Sequence, residues 1–195
     1  MTYLRNGKTT EVTVSRGDVK PKAVPVYKLL PNGMGYIALD RFSKTASKEV
    51  ESALKLMLID EAKGIVLDLR NNPGGLLHEA VNIVNLFVPK GQLVVSTKSN
   101  VESYNQTFET KKQPLSLDIP LVVLINQNSA SASEIVAGAL QDLDRAVIVG
   151  KRSFGKGLVQ RPMPLPYGSQ LKVTISRYYT PSGRCIQALD YRNRK

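Results

Sequence analysis

The sequence predicts an α/β fold with parallel central strands. Strand and helix patterns alternate through the middle of the chain, with apolar strands at Ile65 to Arg70 and Ile119 to Ile125. The near-continuous apolar run Ile65, Val66, Leu67 and Leu69 reads as a strand covered on both faces. Turn-rich segments follow both strands, Asn71-Asn72-Pro73-Gly74-Gly75 and Asn126 to Ser133. Ligands of such sheets gather beyond the carboxyl ends of the strands, so two candidate site elements fall at one edge.

The elements follow in order. Asn6-Gly7 is a hairpin turn signal, and Glu11 to Arg16 alternates as a strand after it. A connector with proline, Lys20 to Pro25, leads to strands Val26 to Leu30 and Met34 to Leu39, joined by Pro31-Asn32-Gly33. Val50, Leu54, Met57 and Leu58 form one stripe of a helix over about 46–61. After the strand from Ile65 comes a helix over about 77–87, closed by Pro89-Lys90-Gly91, then a strand from Gln92 to Thr97. Asn100 to Gln113 is polar and reads as a hairpin or a loop. The strand at Ile119 to Ile125 precedes a helix over about 131–143 and a short strand, Ala146 to Val149. Leu158 to Pro164 and Gln170 to Tyr178 close the chain as a hairpin around Tyr167-Gly168.

With 195 residues, the chain has material for one sizeable core. No apolar run is long enough to span a membrane, and no signal-peptide pattern is visible. The formal charge of +11 raises the question of a polyanion partner. The basic residues are scattered, densest at the ends (Arg5, Lys8, Arg16, Lys20, Lys22 and Arg192, Arg194, Lys195), and no nucleic-acid motif accompanies them. They read as a solvated surface, with no nucleic acid as partner. Cys185 is the one cysteine and His78 the one histidine, so neither a disulfide nor a cysteine or histidine metal cluster is expected.

Chemistry concentrates between Asn126 and Gln160. Ser131-Ala132-Ser133-Glu134 fits a capping box, whose plain role is to satisfy helix N–H groups. The same position suits a nucleophile, because the helix N-terminus favours negative charge developing on oxygen. The N–H of Ala132 would then be free for a substrate oxyanion, and Asn72-Pro73-Gly74-Gly75 could present a second. A serine needs a base, and Lys156 qualifies if the flanking glycines, Gly155 and Gly157, let the loop hide its amine. Taken singly, Lys156 reads as a surface lysine, Gln160 as a strand residue and His78 as a surface or partly buried helix histidine. Gly150 to Gly157 nearly matches a phosphate-binding loop, but no Ser or Thr closes it and a strand pattern follows.

Several segments in order resemble the C-terminal processing peptidases, or tail-specific proteases. They are Leu67-Asp68-Leu69-Arg70-Asn71-Asn72-Pro73-Gly74-Gly75, Asn128 to Ile135, Ala137 to Asp142, Ser153 to Gln160 and Tyr178 to Arg184. The resemblance implies a ClpP/crotonase-like α/β spiral of strands and helices with flanking β-hairpins. It places the nucleophile on Ser131, the general base on Lys156 and the lysine-orienting residue on Gln160. Ala132 with Gly74 or Gly75 would form the oxyanion hole, and Asp142 would support the site. No metal and no cofactor is implied. Family members carry a PDZ domain before the protease core, so residues 1–23 are expected to be the end of a PDZ domain with a connector, and 24–195 the Ser-Lys core. The implied partners are a protein or peptide substrate with an apolar C-terminus, the PDZ domain, a membrane surface and a second copy of the chain. The implied setting is periplasmic or otherwise extracytoplasmic. Two alternatives stand beside this reading: a non-catalytic peptide- or ligand-binding module on the same fold, and an assembly domain whose basic ends meet acidic partners.

Overall fold

The structure, a computed structural model, describes residues 1–17 and 21–189. Lys20 of the expected connector and the basic residues Arg192, Arg194 and Lys195 lie outside the described residues.

The chain opens on the expected hairpin. Strands β1 (Thr2–Arg5) and β2 (Lys8–Glu11) pair antiparallel around Asn6 and Gly7, whose φ values of 52° and 72° suit the primed turn of a two-residue hairpin. The second strand is β2, not the expected Glu11 to Arg16. A two-residue turn pairs Arg5 with Lys8, so Thr2 already meets Glu11 and Val12 N–H takes the carbonyl of Met1.

Strands β3 (Val26–Leu29) and β4 (Met34–Ala38) follow, then helix α1 (Ala46–Ile59), strand β5 (Gly64–Asp68) and helix α2 (Leu77–Val84). Next come β6 (Leu93–Lys98), a short turn of 3₁₀ helix and β7 (Gln106–Glu109), so the polar segment is half of a hairpin. Strand β8 (Leu121–Ile125), helix α3 (Ala132–Asp142), β9 (Val147–Gly150) and the hairpin β10 (Leu158–Pro164) and β11 (Gln170–Tyr179) complete the described chain.

Five strands form the main sheet in the order β3-β4-β5-β8-β9. Strand β3 runs antiparallel to β4, and β4, β5, β8 and β9 are parallel to their neighbours. An antiparallel sheet, β10-β11-β6-β7, stands beside it. This is the α/β layer with flanking hairpins that the alternation predicted.

The core lies on the helical side of the main sheet. Ile37, Ile65, Leu67 and Val123 are fully buried there, against Val50 and Leu54 of α1, Ile83 and Val84 of α2, and Ile135, Val136 and Leu140 of α3. Each such side chain contributes roughly 1.5–3 kcal/mol through removal from water. The other face carries Tyr36, Val66, Val122 and Leu124, all half-buried, and the exposed Val147 and Val149. The expectation of strands covered on both faces therefore holds for one face only. The three helices cover the face that alternates through Ile65 and Leu67, and the β-branched residues on the opposite face share its apolar character without the same cover.

Candidate active site

The carboxyl ends of β5 and β8 are laced together by short polar side chains. Asn71, at φ 62°, turns the chain after β5. Its Oδ1 accepts the side-chain amides of Asn126 and Asn128, each at 2.9 Å, and its N–H donates to Asn126 Oδ1 at 3.0 Å. Asn72 is fully buried. Its amide donates to the carbonyl of Leu39 at 2.7 Å, and its own carbonyl accepts Ala130 N–H at 3.0 Å and Ser133 Oγ at 2.9 Å. Upstream, Asp68 is buried at the end of β5 and takes the Tyr36 hydroxyl and the Arg70 guanidinium, both Arg70 Nε contacts being 3.0 Å. Burial pushes the Asp68 carboxyl up, but the Arg70 and Tyr36 bonds outweigh it and hold the group below its ordinary value.

This lacing separates the three serines of the cluster. Ser129 is buried and donates to the carbonyl of Leu69 at 2.8 Å. Ser133 is buried and bonded to Asn72. Ser131 is half-buried, and its backbone is held at φ 56°, ψ −112°, a region that L-residues rarely occupy.

Ser131 and Glu134 form the expected capping box, although the Ser131 hydroxyl makes no cap bond of full geometry. The Glu134 carboxylate does more than cap. It accepts Ser131 N–H at 2.8 Å, Gly155 N–H at 2.6 Å and Lys156 N–H at 2.8 Å, and it is buried. One carboxylate thus fastens the backbone of Ser131 to the backbone of Lys156. Phe154 N–H adds a bond to the carbonyl of Ser129 at 3.0 Å. Sequence reasoning found Glu134 only as a cap, because its second role depends on a loop that folds back from far along the chain.

The two glycines of the turn divide their work. Gly74 N–H is already taken by Asn72 Oδ1 at 2.9 Å. The N–H groups of Gly75 and Ala132 have no acceptor among the described residues. A Cβ on Gly74 would stand 2.6 Å from the carbonyl of Ala130 and 2.9 Å from Ala132 N, so only glycine leaves that N–H open.

Other candidates are placed differently. Lys156 is exposed, and its amine makes no hydrogen bond or ion pair among the described residues. The flanking glycines do not hide the amine. They admit the backbone of residues 186–188, which packs against the loop. Gln160 is exposed and its amide reaches Thr174 Oγ1 at 3.5 Å rather than Lys156. His78 is largely exposed, with Glu79 as its charged neighbour at 3.4 Å. The segment after Gly157 is strand β10, not the helix a phosphate loop requires. Asp142, at the far end of α3, accepts Ser182 N–H at 3.0 Å and Ser182 Oγ at 2.6 Å and pairs with Arg184. Among the described residues no group of His, Cys, Asp or Glu is arranged to hold a metal ion, and no helix is long and apolar enough to cross a membrane.

A strained serine thus stands at a helix start beside unclaimed N–H groups, with the backbone of a lysine loop fastened to it. The family model described as Peptidase family S41 matches residues 33–191, and the chain belongs to that family. It is 42% identical over 186 residues to the carboxy-terminal-processing protease of Bartonella bacilliformis, covering 93% of this chain and 42% of that protein. It is 46% identical over 158 residues to the carboxyl-terminal-processing protease of Synechocystis sp., covering 80% of this chain and 36% of that protein. Among solved structures, the photosystem II D1 C-terminal processing protease superposes with a TM-score of 0.77 at 33% identity, over 92% of this chain and 49% of that one. The chain spans less than half the length of these relatives.

Proposed function

We propose that this chain is the catalytic core of a serine endopeptidase with a Ser-Lys dyad. The observation that carries the reading is the Glu134 carboxylate, which holds the backbones of Ser131 and Lys156 through one buried group.

In the proposed reaction the lone pair of neutral Lys156 takes the Ser131 hydroxyl proton as Oγ bonds to the scissile carbonyl carbon. The carbonyl electrons move to oxygen, where Ala132 and Gly75 N–H groups receive the charge. Collapse breaks the C–N bond, and the lysine ammonium returns its proton to the departing amine. Water then hydrolyses the acyl-enzyme by the same route. A lysine serves as base only in its neutral form, which desolvation favours. Since Lys156 is exposed, the cover would come from the substrate or from chain beyond this core. Gln160 is proposed to turn toward the amine when that cover closes, and Asp142 to support the site from the end of α3. The substrates proposed are proteins or peptides cleaved near apolar C-termini, delivered by a PDZ domain of which residues 1–23 would be the end. The setting proposed is extracytoplasmic, with contact to a membrane surface and assembly with a second copy as further proposals.

The exposed amine also favours a second reading, a non-catalytic peptide-binding module on the same fold. The test is cleavage of an unfolded protein with an apolar C-terminus by the chain, by Ser131→Ala and by Lys156→Ala, with labelling of Ser131 by a serine-directed phosphonate. Cleavage and labelling by the parent, lost in both variants, are expected. A parent that binds the peptide but neither cleaves it nor takes the label would leave the binding module.

A further inference from the structure

The lysine loop has a second neighbour besides Glu134. The segment 185–188 runs along its other side. Ala188 N–H donates to the carbonyl of Gly155 at 2.9 Å, and Gly157 N–H donates to Gln187 Oε1 at 3.0 Å. A Cβ on Gly155 would collide with Ala188, and one on Gly157 with the backbone of Gln187, so both glycines serve this approach. The amide of Gln187 can bond only one way round. Gly157 N–H requires an acceptor, and Nε2 finds one in the carbonyl of Ala188 at 3.1 Å.

The segment is anchored as well as packed. Ile186 N–H donates to the carbonyl of Tyr178 at 3.1 Å, and Cys185 bridges to Tyr179. The turn before it closes through Thr180 N–H on the carbonyl of Arg184 at 3.0 Å and is gripped by Asp142 through Ser182 and Arg184. The end of the Ser131 helix is therefore joined to the lysine loop by a strap, Thr180 to Ala188, whose side-chain hydrogen bond with that loop, among the described residues, is made by Gln187.

We propose that Gln187 is a positioning residue, whose side-chain carbonyl fixes Gly157 and thereby sets where the Lys156 amine stands relative to Ser131. The inference rests on the reading of Lys156 as the base. Lysine has four rotatable bonds beyond its backbone, and an unsettled loop would spread the amine over positions that cannot reach a proton. Misplacement on the ångström scale is costly in such transfers.

The test compares Gln187→Met, which keeps length and loses the acceptor, with Gln187→Glu, which keeps an oxygen for Gly157 N–H. In the intact protein, Gln187→Met is expected to lower kcat and the rate of phosphonate labelling of Ser131 about tenfold, with KM within about twofold, as for a lost bond to a buried donor. Amide exchange over 154–160 should quicken, and the pH profile of labelling should broaden or shift. Gln187→Glu should restore most of the rate, with its profile displaced to higher pH because the added charge favours the lysine ammonium. Unchanged kcat and exchange in Gln187→Met, or no recovery in Gln187→Glu, would overturn the inference. Lys156→Ala separates the two claims. If it retains activity, the Ser-Lys reading fails and this inference with it; if it is inactive while Gln187→Met matches the parent, only this inference fails.

Discussion

Ser131 is held where a residue with a side chain costs about 1–3 kcal/mol of backbone strain. Two things hold it there: the Glu134 carboxylate on its N–H and the bond from Ala130 N–H to the carbonyl of Asn72. The strained turn leaves Ala132 N–H open beside Gly74, which argues for Gly74→Ala as a probe of that space. The added methyl would stand at 2.9 Å from Ala132 N, at a glycine whose φ is 99°. The expected outcome is a loss of at least about 10²–10³ in kcat, the size of one oxyanion donor, together with a lowered melting temperature, because the methyl also meets the Ala130 carbonyl at 2.6 Å. Full activity in a steady-state peptide assay would show that Ala132 N–H takes no part. The residues of the site were only partly legible in the sequence. The cluster offered three serines, and family likeness chose Ser131. That Ser129 and Ser133 are buried donors to Leu69 and Asn72, while Ser131 is half-buried, needs the turn after β5 folded against them. That Gly74 N–H is taken likewise depends on a side chain, Asn72 Oδ1, whose direction local pattern does not show. Gln187 gave no signal, since its partner lies thirty residues back along the chain.

Helix α3 shows how one element positions the site and how its pattern was read. Ile135, Val136, Ala139 and Leu140 are all essentially buried, wider than a single stripe, because α3 packs against α2 and lies near both β6 and β9. Its first residue follows Ser131, and its last, Asp142, holds the strap. Loosening the middle should therefore be felt at both ends. Leu140→Ala is expected to cost about 2–5 kcal/mol, the range for a fully buried leucine, read as a lower urea midpoint, with slower labelling of Ser131. A change under 0.5 kcal/mol would mean that α3 is not packed as described. The helices and strands were legible because each carries its period locally. What failed was what depends on partners. The strand expected over Glu11 to Arg16 alternates correctly, yet only its first residue, Glu11, is paired in a strand, opposite Thr2. The run Ile65 to Leu69 looks doubly covered, yet Val66 faces the thinner side. Composition records how apolar a strand is, not which neighbours arrive.

At the scale of the whole molecule, Glu49, Asp68 and Asp142 are among the carboxylates that fasten separate parts of the fold. Glu49 ties α1 to Val24 N–H at 3.0 Å and to the Thr45 hydroxyl at 2.6 Å. Asp68 ties β4 to the turn after β5 through Tyr36 and Arg70, and Asp142 ties α3 to the strap. Burial would raise each carboxyl, but hydrogen bonds from Thr45, from Arg70 and Tyr36, and from Ser182 and Thr180 outweigh it, and all three lie below their ordinary values. With folded values depressed, the unfolded chain binds protons first as pH falls. The stability these groups contribute is complete above about pH 4–5, where the unfolded carboxylates are ionised, and is lost as pH drops through the folded values. A chain with a formal charge of +11 adds repulsion as each carboxylate is neutralised. Urea midpoints should accordingly change little between pH 7 and 5 on account of these groups and fall steeply below pH 4. Asp142→Asn should start from a lower midpoint and show a shallower acid slope, because one of the groups whose protonation drives unfolding is gone. An Asp142→Asn protein with the parent's full acid slope would mean that this carboxylate is not depressed by its bonds to the strap, and the link from α3 to the lysine loop would lose its anchor.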